Sequence, residues 1–355
     1  MNRSMQAIGA VLLMTMAAFV AGCKSSSPQS ETITITGAGS TFVTPIMTRW
    51  VADYHKAHPN VQVNYQSIGS GGGIQQLKNN LVDFGASDAA LTDDQLKQMP
   101  SEVIQIAESA GPVCITYNLP DVKKPVRLTP AALSGIFLGT IKKWNDPAIA
   151  KSNPGVTLPN TAIAVAHRSD GSGTSNIFTT YLATVNPQWA DKVGKGLSVN
   201  WPVGLGGKGS EGVAGIVKQT EGGIGYVELT YASQNHLPVA EIQNKAGQFV
   251  APSSQGATAA IDAFKSNLNQ DLRSSIVEPP ATAADAYPIS GMTYLLIPKD
   301  GSDRTKRAAL KDFINYVLTS GQQVSTQLDY AQVPDSLSQI DTKLLGGLTA
   351  GGQAL

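Results

Sequence analysis

Four loops of this chain set glycine beside hydroxyl or charged side chains, and each follows a β-like run and precedes a helix-like one. They are Gly37-Ala38-Gly39-Ser40-Thr41-Phe42, Gly69-Ser70-Gly71-Gly72-Gly73, Ser87-Asp88 ahead of Thr92, and Arg168-Ser169-Asp170-Gly171-Ser172-Gly173-Thr174-Ser175. Glycine permits close backbone approach, hydroxyls donate, and the free N–H groups of a helix start carry partial positive charge. Together these bind a tetrahedral oxyanion without a full set of countercharges. Arg168 adds a bidentate fork, and Asp170 is near enough in sequence to orient it. Singly, such a serine is a helix cap and such an arginine a solvated surface residue. Several such loops on successive units are what a convergent site needs.

Asp88 has two readings. As a cap it would close the turn before the Thr92 helix. In an anion site its carboxylate would repel the ligand unless the ligand brings a proton. Protonated phosphate can donate to it, whereas sulfate at neutral pH cannot, and two facing desolvated charges cost several kcal/mol.

The elements around these loops alternate. Thr32 to Thr36 alternates with period two and predicts a strand running into a glycine turn, after which Ser40 or Thr41 caps a helix striped by Ile46, Trp50, Val51 and Tyr54. Val61 to Tyr65 predicts a second strand, followed by a helix carrying Ile74, Leu77 and Leu81. Val82 to Ala86 leads to a capping box at Thr92 and Gln95, and Ile163 to Ala166 leads to a helix with Ile177, Phe178, Tyr181 and Leu182. Ile224 to Val227 and Tyr294 to Ile297 read as buried strands, and Leu310, Phe313, Ile314 and Val317 stripe a terminal helix closed by Gly321. This grammar predicts an α/β fold with mostly parallel sheets, whose ligands sit beyond the carboxyl ends of strands.

The bulk properties fit. The 355 residues suffice for two ordinary domains. Lys plus Arg and Asp plus Glu are both 26, and the lack of a basic run with aromatics makes nucleic acid a poor partner. Residues 1–22 read as a signal peptide, and Val20-Ala21-Gly22-Cys23 resembles a lipobox, so Cys23 is the expected lipidation site, with 23–31 as a flexible tether. Cys114 is then the one other cysteine, expected in the core. The four histidines, His55, His58, His167 and His236, show no catalytic or metal-ligand spacing, and neither a Gly-x-Ser-x-Gly elbow nor a Walker A pattern occurs. Gly204-Leu205-Gly206-Gly207-Lys208-Gly209 satisfies Gly-x-Gly-x-x-Gly but follows no clear strand, so a dinucleotide site is discounted.

The loops above, with Tyr65-Gln66-Ser67-Ile68-Gly69-Ser70, Asp83 to Asp88, Trp201 to Gly209 and Gly223 to Glu228, closely resemble the PstS family. These are the phosphate-binding components of the phosphate-specific ABC transporter. The resemblance runs in order from about residue 32 to about 337. It implies a type II periplasmic-binding-protein fold, two α/β lobes with a ligand cleft and a crossed-over hinge near 107–113 and 283–290. Lobe 1 is then 32–108 plus 286–355, and lobe 2 is 109–285. The phosphate-binding residues it implies are Ser40, Thr41 and Phe42, the last through its N–H, with Ser70, Asp88, Arg168, Ser172, Gly173 and Thr174; Asp170 pairs with the arginine. Ser40 stands where the family commonly has alanine, in a role expected to be backbone.

The expected protein is not an enzyme and has neither cofactor nor metal. It is a monomeric, lipid-anchored binding protein of the periplasm or cell envelope, touching membrane only through its lipid and delivering phosphate to transmembrane permease subunits. The alternatives are a secreted phosphatase-like hydrolase using a loop serine such as Ser172, or a binder of another oxyanion such as sulfate.

Overall fold

A computed structural model describes residues 32–355; the expected signal peptide, Cys23 and tether lie outside the described residues. The first half runs β1 (Ile33–Gly39), α1 (Thr44–Ala57), β2 (Val61–Ser67), α2 (Ser70–Lys78), β3 (Phe84–Ser87), α3 (Asp93–Lys97), β4 (Val103–Tyr117), β5 (Arg127–Leu128), α4 (Pro130–Phe137), α5 (Pro147–Ala150), β6 (Ala164–Arg168) and α6 (Gly173–Val185). Then follow α7 (Pro187–Lys192), β7 (Leu205–Gly207), α8 (Gly209–Gln219), β8 (Gly223–Glu228), α9 (Leu229–Gln234), β9 (Glu241–Gln243), β10 (Phe249–Val250), α10 (Ser254–Ala263), α11 (Lys265–Gln270), β11 (Ser290–Pro298), α12 (Arg304–Leu318) and α13 (Asp335–Gly346). A small hairpin, Thr349–Ala350 with Gln353–Ala354, ends the chain.

Eight strands form one sheet in the order β2-β1-β3-β11-β4-β8-β6-β7. Its flanks are parallel, as expected, but β11 runs antiparallel to β3 and β4, and β4 antiparallel to β8. The fifteen-residue β4 serves both flanks. Residues 103–112 pair with β11, and from Val113 onward the partner is β8. Cys114 lies in that second stretch, fully buried, and burial drives its thiol pKa well above the ordinary value.

Local differences from expectation have local causes. Gly37 to Gly39 is not a turn but the end of β1, paired on both sides by β2 and β3. Gly37 is required because a Cβ there would lie 2.1 Å from the Phe84 ring. The bend follows at Ser40–Val43, and α1 starts at Thr44 with Pro45 in its first turn and no side-chain cap, so neither Ser40 nor Thr41 caps it. Leu81 lies past the end of α2 and is exposed, because the helix stops at Lys78 and Asn80 takes a left-handed backbone. The expected capping box of Thr92 and Gln95 is present in full. The helix of Leu310 to Val317 is not terminal: Gly321 lies in a following 3₁₀ turn, where its carbonyl accepts from the Trp50 indole at 2.8 Å, and α13 comes later.

One core cluster joins Leu77, Leu91 and Ala107 to Ala257, Ile261, Leu268, Ile276, Met292 and Leu296. Helices α10 and α11 therefore pack with the N-terminal flank and β11, although their sequence places them after the β8 flank.

Several carboxyls are buried or half-buried and form no salt bridge among the described residues. Burial lifts Asp88 to about 6, Glu278 to about 7, and Glu108 and Asp341 to about 8. Glu108 accepts from Thr293 Oγ1 at 2.8 Å and Asp341 from the Ala107 N–H at 3.1 Å, while the second oxygen of each is buried without a partner. All four pKa values lie above those of the unfolded chain, near about 4. The folded state therefore holds protons that the unfolded chain releases, and stability falls as pH rises from about 4 to about 8. In a buffer free of oxyanions, the melting temperature should be several degrees higher at pH 5 than at pH 8.5. Glu108→Gln with Asp341→Asn should flatten that slope, and a melting temperature that rises from pH 5 to 8.5 would contradict it.

Candidate anion-binding site

The expected residues converge. Ser40, Thr41, Phe42, Ser70, Asp88, Arg168, Ser172 and Thr174 are all buried, and Gly173 with them. The end of β1, the starts of α2, α6 and α8, and the ends of β3 and β6 meet at one point. This follows from the parallel flanks, since each strand delivers its C-terminal residue toward the start of the helix that follows.

Asp88 stands at the centre. Its Oδ1 accepts from the Ser40 hydroxyl, its Oδ2 faces the Thr174 hydroxyl at 3.4 Å, and its N–H donates to Ser70 Oγ at 3.2 Å. It therefore does not cap the next helix. Ser87 accepts from the Ala89 N–H to close the turn, and Thr92 caps α3. Burial pushes Asp88 up to about 6, against the opposing Ser40 hydrogen bond, Arg168 charge and Thr174 bonds.

The two flanks of the sheet touch through these residues. Ser70 Oγ also accepts from the Gly173 N–H at 3.1 Å, and the Gly71 N–H donates to the Gly171 carbonyl at 2.8 Å. A Cβ on Gly173 would lie 2.5 Å from Asp88 Cβ and 2.6 Å from Ser70 Oγ, so only glycine permits this approach. The Ser172 hydroxyl accepts from the Ser175 N–H at 3.0 Å and caps α6.

Arg168 supplies the cation. Its Nε and one terminal nitrogen form a fork on Asp170, at 2.8 and 2.5 Å, and its backbone N–H donates to the Tyr226 hydroxyl at 3.0 Å. Burial of Asp170 opposes ionisation, but the Arg168 hydrogen bonds and charge outweigh it and hold the carboxyl below its usual range. The guanidinium is thus fixed in place with its remaining donors unspent.

Ser40 departs from its expected backbone role. Its N–H is spent on the Ala86 carbonyl at 2.9 Å, and its own carbonyl accepts from the Tyr65 hydroxyl at 2.7 Å. Its side chain is the part that reaches Asp88. The Phe42 ring packs on Tyr330 in the core, which leaves only its N–H for the site.

Three participants were not singled out from the sequence. Ser210, at the start of α8, shares a 2.9 Å hydrogen bond with the Thr41 hydroxyl. The Tyr231 hydroxyl donates to the Thr41 carbonyl at 2.7 Å, and Tyr226 positions Arg168. The discounted glycine motif also has a place here, because the Gly209 N–H donates to Asp170 Oδ1 at 3.0 Å. His167 stacks on Trp201, with ring centroids 5.0 Å apart, and its Nδ1 lies 3.0 Å from the Arg168 carbonyl. Ser172 and His167 therefore do not form a nucleophile–base pair.

A cleft of about 680 Å³, lined by Asp88, Thr92, Gln95, Asn176, Lys195 and Tyr294 among others, opens beside this point.

A family model described as a PBP superfamily domain matches residues 25–320. The chain is 44% identical over 314 residues to the phosphate-binding protein PstS of Xylella fastidiosa strain Temecula1, covering 88% of this chain and 85% of that one. It is 41% identical over 320 residues to the PstS of Haemophilus influenzae, covering 89% and 94%. Among solved structures, a high affinity periplasmic phosphate-binding protein (PfluDING) bound with phosphate shares the fold, with a TM-score of 0.69, 22% identity, and 89% and 98% of the two chains covered.

Proposed function

This chain belongs to the PstS family of phosphate-binding proteins, within the PBP superfamily, and on that premise we propose that it captures one inorganic phosphate at the buried meeting point of its two flanks and hands it to an ABC phosphate importer. The observation that carries this reading is the buried juxtaposition of one carboxylate, Asp88, with the oriented Arg168 and three helix starts. A fully ionised anion has no proton for Asp88, whereas a phosphate carrying a proton donates to it and takes its remaining bonds from the surrounding N–H and hydroxyl donors.

In this account Arg168 gives the charge, and Thr41, Ser70, Ser172 and Thr174 give hydroxyls. Phe42 gives its backbone N–H, Gly173 gives an N–H that it shares with Ser70 Oγ, Asp170 holds the arginine, and Ser40 sits between Phe42 and Asp88. The ligand is stripped of water, and the donors replace its hydration shell. The protein itself turns over nothing.

Capture works by closure of two lobes. We place the crossing where β4 changes partner at Pro112 and Val113, with β11 as the second crossing strand. The core contacts of α10 and α11 with the N-terminal flank support a second lobe that ends near residue 250 in place of the expected 285. Closure joins the Gly71–Gly171 and Ser70–Gly173 contacts and presents a surface for the permease subunits. The work is done outside the cytoplasmic membrane. Cys23, following Val20-Ala21-Gly22, is the proposed lipid anchor, and a monomer is the proposed state.

Purified protein added to spheroplasts that carry the importer but lack their own binding component should restore phosphate uptake. Saturable binding without any stimulation of uptake would separate capture from delivery and reject the second half of the proposal.

A further inference from the structure

Ser40 is held by its backbone and free only in its side chain. The N–H and the carbonyl are spent on Ala86 and Tyr65. Rotation about its single side-chain torsion is the one movement left, among three staggered positions. In the position adopted, the hydroxyl accepts from the Phe42 N–H at 2.9 Å and donates to Asp88 Oδ1.

Those two partners are a donor and an acceptor that a protonated phosphate oxygen needs. A P–OH group accepts through a lone pair and donates through its proton, in the same sense as a serine hydroxyl. We propose that the Ser40 hydroxyl is a built-in surrogate for the P–OH of the ligand, bridging Phe42 N–H and Asp88 and competing with phosphate for both. The inference rests on the phosphate reading above and extends it to Ser40, whose part was expected to be played by its backbone.

Two consequences follow. The surrogate gives Asp88 Oδ1 a donor while the Thr174 hydroxyl faces Oδ2 at 3.4 Å, which helps keep Asp88 ionised and ready to accept. It also raises the threshold for wrong ligands. An anion without a proton that displaces Ser40 removes a donor from Asp88 and supplies none, whereas phosphate exchanges one hydroxyl for another. The device gives up some affinity for faster exchange, which suits a protein that must release its cargo.

The test is Ser40→Ala, a smaller side chain in a buried position that should not disturb packing; a thermal melt checks the fold. Calorimetry should show phosphate bound about three- to tenfold more tightly than by the unaltered protein, as expected for removal of one competing hydrogen bond. In the absence of phosphate, the carboxyl carbon resonance of Asp88 should titrate at higher pH in the variant. Affinity that is unchanged or weaker would overturn the proposal and make the hydroxyl an ordinary ligand donor or a bystander. Failure of both proteins to bind phosphate would instead reject the phosphate reading itself, so the two failures are distinct.

Discussion

Replacing Arg168 with alanine should weaken phosphate binding by roughly thirty- to several-thousand-fold, the range that corresponds to the 2–5 kcal/mol lost when one partner of a buried, hydrogen-bonded charge pair is removed. Three features place the effect in the upper part of that range. The guanidinium is almost wholly buried, so no water takes its place at low cost. Its removal leaves Asp170 with the Gly209 N–H but no cation, close to the position of a second anion. It also withdraws the positive charge that helps to hold Asp88 ionised. Arg168→Lys should recover only part of the loss, because a single ammonium cannot both fork onto Asp170 and reach the ligand. Calorimetric titration, with a melting curve to show that each variant folds, checks both; binding within tenfold of the unaltered protein in Arg168→Ala would remove the arginine from the site.

Asp88→Asn should have the largest effect on selectivity. The unaltered protein is expected to favour phosphate over sulfate by about a thousandfold or more, the several kcal/mol that two facing desolvated charges cost. Asparagine in the same place offers an amide that can donate, so sulfate should bind and the preference should shrink to about tenfold or less. The pH dependence carries the same sign. Asp88 is raised to about 6, so below that pH its protonated carboxyl can itself donate. Sulfate binding by the unaltered protein should therefore strengthen between pH 7 and pH 5, while sulfate binding by Asp88→Asn should not. Competition of each anion against labelled phosphate at both pH values reads this out, and a variant that still excludes sulfate would show that selection lies elsewhere.

Much of this site could be read from local sequence because its parts are local. A glycine-hydroxyl loop between a strand and a helix start is a run of a few residues, and the parallel flanks carry such runs to a common end. What the sequence left open at Asp88 was a matter of which neighbour is nearer. The same spacing allows a cap or a ligand contact, and only the chain fold brings Ser40, 48 residues away, and Thr174, 86 residues away, onto its two oxygens. Ser210 and Tyr231 were missed for the same reason, since their partner Thr41 lies 169 and 190 residues away. The antiparallel centre of the sheet and the return of α10 and α11 to the first flank are also long-range facts, which periodicity does not carry. The misplaced cap at Ser40 and the misplaced Leu81 are boundary errors, where polar or apolar type alone outweighed the geometry of a turn.

On the proposed reading, this chain selects an oxyanion by its proton. Calorimetric titration of phosphate-stripped protein at pH 8 with phosphate and, separately, with sulfate tests it most directly. One phosphate should bind per chain, with no saturable heat from sulfate at the same concentrations. Sulfate bound as tightly as phosphate would contradict it.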